Sequence, residues 1–227
     1  YLIGPEDLTA SMRNAWMLRN EKGRPPATLT TENLWLLPSD IHLSGAEIEL
    51  SHKIGRETRL KEALAPIIDH FDYIIIDTPP SLGLLSINAL SAANWVMVPV
   101  QAEYYAMEGL SELLRAMNQI QKGGLNRQLV REGIVLTMVD RRTRLCRDVA
   151  DQLREVFGDE VFATEIPRNI RLGEAPSFGK PVHAYDPLCR GAVAYTNLAL
   201  EFLERIANDG SDEADSTVVP LHAVEAS

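Results

Sequence analysis

Two cysteines are all this chain has, Cys146 and Cys189, far apart and in no Cys-x-x-Cys spacing. That excludes a disulfide framework and a Cys/His metal cluster, and leaves buried or surface thiols in a reducing compartment. No apolar run is long enough to span a bilayer. No signal-peptide pattern stands at Tyr1, where none would show if the natural start lay further upstream. There is no internal repeat. There is also no excess of positive charge: the net charge is −10, which at first argues against a nucleic-acid partner. The distribution qualifies this. From Asp209 onward the chain holds five acids and no Lys or Arg, and without those five, 27 acidic side chains face 22 basic ones. Local basic patches then act over a screening length of about 8 Å.

The remaining composition, 45% hydrophobic and 24% charged, is that of an ordinary globular chain. A length of 227 residues buries a full core and is most simply one domain. Its organising stretch is Phe71-Asp72-Tyr73-Ile74-Ile75-Ile76-Asp77-Thr78-Pro79-Pro80-Ser81. An unalternated Tyr-Ile-Ile-Ile run predicts a strand buried on both faces of a parallel sheet. Asp77 would end that strand at the rim where open α/β sheets bind ligands, and the prolines stop it at once. The same pattern suits either a Walker B carboxylate that holds Mg²⁺ through water or a turn aspartate with no chemistry.

In chain order the pattern predicts a helix over 5–18, a turn-rich loop over 20–31 and a short strand over 33–39. A helix capped by Ser39 or Asp40 follows through His52, then a second helix over 58–70. Beyond the 73–76 strand come a helix over 82–93, a buried strand over 95–100 and a long helix over 104–121. That helix spaces Leu110, Leu113, Leu114 and Met117 as a core stripe. Gly123-Gly124 ends it; the pair follows a helix, whereas a phosphate loop follows a strand. A strand over 132–139, a helix over 143–157, a short strand closing at Ile166-Pro167, a turn or short helix over 171–177 and a helix over 187–206 complete the fold. Strands alternating with helices predict an α/β fold with a mostly parallel sheet. Residues 1–206 form the domain, and 207–227 read as a disordered acidic tail.

Longer blocks sharpen the reading. Asp77-Thr78-Pro79-Pro80-Ser81-Leu82-Gly83-Leu84-Leu85 with Asn88-Ala89-Leu90, then Val98 to Leu110, Leu136 to Thr143 and Ile166 to Pro181 stand in order, and Leu43 to Leu50 stands upstream. Together they resemble the Walker B, switch II and later blocks of the ParA/Soj family of chromosome- and plasmid-partitioning ATPases. That resemblance implies a P-loop NTPase-like fold, ATP and Mg²⁺ as cofactors, a homodimer in the ATP-bound state and non-specific DNA as partner. It also implies a ParB-type protein that stimulates hydrolysis, and a cytoplasmic, nucleoid-associated location with no membrane contact. The family's strand and K-G-G-x-G-K-T loop, and its switch I aspartate, have no counterpart here; the one Gly-Lys pair, Gly179-Lys180, is followed by Pro181. The chain therefore reads as N-terminally truncated.

The resemblance makes Asp77 the catalytic, Mg²⁺-ordering carboxylate and residues 78–83 switch II. Gln101 and Glu103 follow a strand at the same rim and suit either the nucleotide, a partner subunit or a solvated loop. Met138, Pro167 and Asn169 fall where the family holds adenine: Met and Pro to sandwich the ring, an Asn amide to pair with its edge. Core packing and a plain turn account for the same residues equally simply. Arg141, Arg142, Arg144 and Arg147 open one helix, and Arg168 and Arg171 lie in the later loop. Arginines at a helix start oppose the macrodipole, so phosphate binding, or surface pairs to Asp148 and Asp151, must favour them. The resemblance puts DNA contacts on Arg142 and Arg171. No base-reading motif accompanies them.

Three other readings compete. A MinD-like, membrane-cycling relative would end in a basic amphipathic helix, whereas this tail is acidic and contains Pro220. The nitrogenase iron-protein branch would need cysteines after Asp77. A non-catalytic fragment, binding only DNA or protein, follows from the missing phosphate loop, which supplies most transition-state stabilisation. Purified residues 1–227 are expected neither to fold stably nor to turn over ATP. Turnover that Asp77→Ala removes would overturn this expectation.

Overall fold

The computed structural model describes residues 43–209. The expected helix over 5–18, the strand over 33–39 and the acidic tail beyond residue 209 lie outside the described residues. Within them the chain separates into two compact units, one of residues 43–96 and 113–130, the other of 97–112 and 131–209.

The first unit is built on helix α3 (Leu84–Ala92), with α1 (Leu43–Leu50) and α2 (Arg59–Leu64) packed on it. No residue of α3 caps its own start. Glu47 of α1 does so instead, its Oε1 accepting from the Leu85 N–H at 3.2 Å. A carboxylate at a helix N-terminus satisfies an orphan donor and suits the macrodipole. The approach depends on Gly83, where a Cβ would press into that carboxylate. Asn126 closes the other end, donating to the Leu90 and Ala93 carbonyls at 2.9 and 2.7 Å. Between the caps Asn88 is fully buried. Its amide donates to Leu84 O at 2.9 Å and Arg56 O at 2.7 Å and accepts from Leu60 N at 3.1 Å.

The 73–76 segment departs from expectation. It belongs to no strand; Tyr73 is 50% exposed and Ile75 93%. An unalternated run stays buried only with strands on both edges and layers on both faces. Among the described residues no strand is paired with it.

The second unit meets that condition elsewhere. In chain order strand β1 (Trp95–Gln101), helix α4 (Ala106–Lys122) and strand β2 (Val130–Thr137) follow one another; β1 and β2 are neighbours in one sheet and belong mostly to this unit, whereas α4 is shared, its residues from 113 onward counting with the first. Residues 161–168 run along the other edge of β2 through parallel bridges Ile134↔Val161 and Val139↔Pro167. Ile134, Val135 and Leu136 are accordingly buried. Gly133 permits the close approach, since a Cβ there would fall 2.6 Å from both the Glu160 carbonyl oxygen and the Phe162 ring. On one face Val135, Phe162 and Ile166 pack against Ala194 and Leu198 of the last helix, α8 (Arg190–Asp209). Helix α5 (Arg144–Phe157) follows β2, while α6 (Ile170–Glu174) and α7 (Val182–Tyr185) precede α8. The α4 stripe is as expected: Leu110, Leu114 and Met117 are buried, joined by Ile120, with Leu113 half-buried. β1 is less buried than its sequence suggests, covering Val98 and Val100 but exposing Trp95 and Pro99.

Asn88→Ala in the full-length protein should cost about 2–4 kcal/mol, because it strands the Leu60 N–H and the Arg56 carbonyl in a buried place. Urea denaturation measures this; a loss below about 0.5 kcal/mol would show that Asn88 holds nothing in place.

Candidate functional site

The chemistry-bearing residues of the second unit collect where β2 and the 161–168 segment end. Val139 N donates to Ile166 O at 3.0 Å, and Arg168 N to Val139 O at 3.1 Å. That bridge holds the turn carrying Met138 beside the one carrying Pro167 and Asn169. Met138 has φ +51° and is the only non-glycine residue with positive φ among the described ones. A side chain in the left-handed region costs about 1–2 kcal/mol, and such strain persists where the surroundings impose it, often at ligand sites. Its side chain is 43% exposed, which does not fit the plain core role. Pro167 is half-buried in the bridge. Asn169 caps α6, its Oδ1 accepting from Arg171 N at 2.8 Å. One lone pair of that oxygen is therefore engaged; the amide N–H groups and the second lone pair are left for a ligand edge.

The arginines leave the same strand ends. Arg141 and Arg142 precede α5, whose N-cap is Thr143, so only Arg144 and Arg147 stand in its first turn. Each of the first three has a carboxylate. Arg142 donates Nε and Nη2 to the two oxygens of Asp140 at 2.8 and 2.7 Å. Arg144 pairs with Asp148 at 3.3 Å. Arg141 forks onto Glu165 at 2.9 and 2.6 Å, and Arg154 reaches the same carboxylate at 2.6 Å. Arg147 donates instead to the Arg141 carbonyl at 2.6 Å. In α6, Arg171 lies between Glu174 at 2.8 Å and Asp186 at 3.3 Å, and the Tyr185 hydroxyl donates to Glu174 at 3.2 Å. The sequence-level pairing with Asp148 is thus present. Asp140, Glu165, Glu174 and Asp186 were not singled out from sequence. Asp140, two residues before Arg142, and Glu174, three after Arg171, offered a local signal.

Electrostatics follow these contacts. Hydrogen bonds from the Arg142 side chain and backbone bring the Asp140 carboxyl down to about 2. Burial alone would raise Glu165, whose side chain is 12% exposed, but the Arg141 and Arg154 hydrogen bonds overcome it and hold the group below the usual range. Glu201 behaves alike. Burial opposes its ionisation, and donors from Ala163, Thr164 and Arg205 outweigh that. Its oxygens take the Ala163 and Thr164 N–H groups at 2.7 and 2.8 Å, pinning the segment that bears Pro167 and Asn169.

Asp77 belongs to the first unit. It is exposed, in the non-strand segment before α3, and is therefore not held at a sheet rim as its sequence suggests. Of the expected switch, residues 78–83, all but the half-buried Gly83 are exposed too, with Ser81 O accepting from Ser86 Oγ at 2.5 Å. Gln101 ends β1, exposed, and Glu103 lies just beyond it. The neighbouring Tyr104 and Tyr105 are exposed, their rings edge to face at 5.1 Å. Among the described residues no three Asp, Glu, His or Cys side chains converge into a metal cage. A single exposed carboxylate suits Mg²⁺ held chiefly by water and nucleotide phosphates.

Residues 6–130 match the AAA domain family. The chain is 55% identical over 172 residues to the sporulation initiation inhibitor protein Soj of Bacillus subtilis, covering 76% of this chain and 68% of that protein. The chain belongs to the ParA/Soj family of partitioning ATPases. It is also 48% identical over 172 residues to the chromosome partitioning protein ParA of Myxococcus xanthus, across 76% of this chain and 60% of that one. Among solved structures, cobyrinic acid a,c-diamide synthase of Mycobacterium smegmatis with bound ADP and magnesium superposes with a TM-score of 0.63 at 34% identity. The match covers 81% of this chain and 66% of that chain. The α/β fold expected from the alternation of strands and helices is the one observed, and the P-loop NTPase-like fold that the resemblance implied agrees with this neighbour.

Because the Glu165 carboxyl sits below its ordinary value of about 4.3, its contribution is present above that pH and is lost as pH falls through the lower, folded value. Glu165→Gln should therefore cost about 1–3 kcal/mol at neutral pH. The gap from wild type should close below about pH 4. Melts across pH check this, and a gap independent of pH would exclude the ionised form as the stabilising species.

Proposed function

We propose that this chain is the larger part of a DNA-partitioning ATPase. The complete protein binds Mg²⁺–ATP, pairs into a dimer around two nucleotides and holds duplex DNA without reading its sequence. A ParB-type partner then stimulates hydrolysis and resets it. Relatives named as partitioning proteins support this reading, as does a structural neighbour holding ADP and magnesium. No helix of the described residues is long and apolar enough to cross a membrane, and the setting we infer is the cytoplasm, on the nucleoid.

The observation that carries the reading is the strained Met138 at the end of β2, tied by the Val139–Pro167 bridge to the turn bearing Asn169. Met138 and Pro167 offer the two apolar surfaces an adenine ring needs, and Asn169 its free amide donors. Asp77 would hold Mg²⁺ through water, and the ion would offset charge on the terminal phosphates. Arg142 and Arg171 would face DNA phosphates from the same strand ends. The second reading, a non-catalytic binding module, is favoured by the exposed Asp77 segment, since a carboxylate off the sheet is not preorganised for transfer.

Met138→Gly should relieve the backbone strain and leave stability within about 1 kcal/mol of wild type. ATP affinity of the full-length protein should fall at least about fivefold, the share of one stacked side chain. Calorimetry of both quantities decides it. Unchanged ATP affinity would remove Met138 from the base site. Arg142→Ala and Arg171→Ala should each weaken duplex binding and flatten its salt dependence, by at most about 0.9 per lost phosphate contact. Wild-type affinity and slope in both would remove DNA from the proposal.

A further inference from the structure

Four of the six arginines at the strand ends, Arg141, Arg142, Arg144 and Arg171, are already paired with carboxylates. Arg168 has no carboxylate within 4.0 Å among the described residues, and Arg147 spends a donor on a carbonyl. The surface read from sequence as a cationic patch is close to charge balance. The two arginines assigned to DNA are held most deliberately. Asp140 takes the Nε–Nη2 edge of Arg142 with both oxygens and also accepts from the Arg142 backbone N–H at 3.1 Å. That backbone bond anchors the carboxylate, and the guanidinium, 89% exposed, follows it. Arg171 is bracketed, with Nη1 on Glu174 and Nε on Asp186. The Tyr185 hydroxyl holds Glu174 in turn.

We propose that Asp140 and the Glu174–Asp186 pair are built-in competitors for the phosphates of a polyanion, so that DNA binds this surface by exchange rather than by addition. The inference rests on the DNA-binding reading above and concerns its regulation. A carboxylate and a phosphate ask for the same thing from an arginine, a pair of parallel N–H donors. While the carboxylate holds that fork the pair carries no net charge, and a phosphate that docks there releases little of the counterion gain that drives DNA binding. Exposed pairs give up their partner for less than about a tenfold factor in an equilibrium constant. They moderate affinity without blocking it. The arginines therefore give a modest, readily reversed hold on DNA, which suits a protein that must let go when its nucleotide state changes.

The test uses full-length protein with Mg²⁺–ATP and a fluorescent mixed-sequence duplex, titrated between about 50 and 200 mM salt. Asp140→Asn and Asp186→Asn should each bind about three- to tenfold more tightly at the low-salt end. The slope of log affinity against log salt should steepen by roughly 0.9 for each phosphate newly neutralised. Asp140→Ser, which keeps an acceptor for the Arg142 N–H and discards the charge, should do the same, and melting curves confirm that each variant is folded. Folded carboxylate variants with unchanged or weaker binding, while Arg142→Ala still weakens it, would overturn the competitor role and leave the DNA reading standing. Tighter binding without a steeper slope would overturn it too, since no charge would have been exchanged. If neither the arginine nor the carboxylate variants shift affinity, both readings fall together.

Discussion

The second unit depends on one constraint: β2 has a backbone partner on each edge, a strand on one and a bridged extended segment on the other. β1 pairs with one side, and residues 161–168 run along the other. Only that arrangement lets Ile134, Val135 and Leu136 be buried together without leaving backbone donors and acceptors unpaired. The close fit at Gly133 under Phe162 sets the spacing. Glu201 completes it, supplying carboxylate oxygens to two backbone N–H groups on the 161–168 segment. Met138 and the turn carrying Pro167 and Asn169 leave from the ends of these segments, while Arg144, Arg147 and Arg171 stand in the first turns of the helices that follow them. The placement of Met138, Asn169 and the arginines is a consequence of the sheet and not of the loops themselves.

The same constraint explains what could be read from sequence and what could not. An amphipathic helix is a local pattern, and the α4 stripe of Leu110, Leu114 and Met117 was legible because each turn reports its own buried face. An unalternated apolar strand is different. Its pattern records a demand for neighbours, and neighbours come from elsewhere in the chain. Ile134–Leu136 and Tyr73–Ile76 make the same demand. The first is flanked by β1 and the 161–168 segment and is buried; the second belongs to no strand among the described residues, and Ile75 stands in solvent. Its unalternated pattern and terminal carboxylate made the second the expected centre of the fold.

At the site, residue types were legible and charge states were not. The arginine run before α5 argued for a ligand because guanidinium groups oppose the helix dipole. The structure answers part of that argument internally. Asp140 and Asp148 offset Arg142 and Arg144 close by in sequence, whereas Glu165 reaches Arg141 from 24 residues away and Asp186 reaches Arg171 across a turn and a short helix. Long-range pairs of this kind follow from the packing of α5 and α6 beside the strand ends, so no window along the sequence reveals them. The Asn169 cap was likewise hidden: an amide suited to a base edge is equally suited to a helix start, and here its oxygen already serves the latter.

Rigidity and yielding contacts meet at one place in this unit. The segments beneath the rim are held by buried apolar packing and a doubly used carboxylate. Above them the contacts are the exchangeable sort: a left-handed Met138, a cap with donors to spare, and exposed ion pairs that water and salt weaken. Ligand-dependent behaviour needs both. A yielding rim on a yielding sheet would transmit nothing, because a ligand's differential contacts would dissipate in local motion. A fixed rim would bind one state only. On the proposed reading, strain and neutralised charge concentrated on one edge would let a nucleotide or a phosphate chain shift the balance with a few contacts, which is the condition a two-state element must meet.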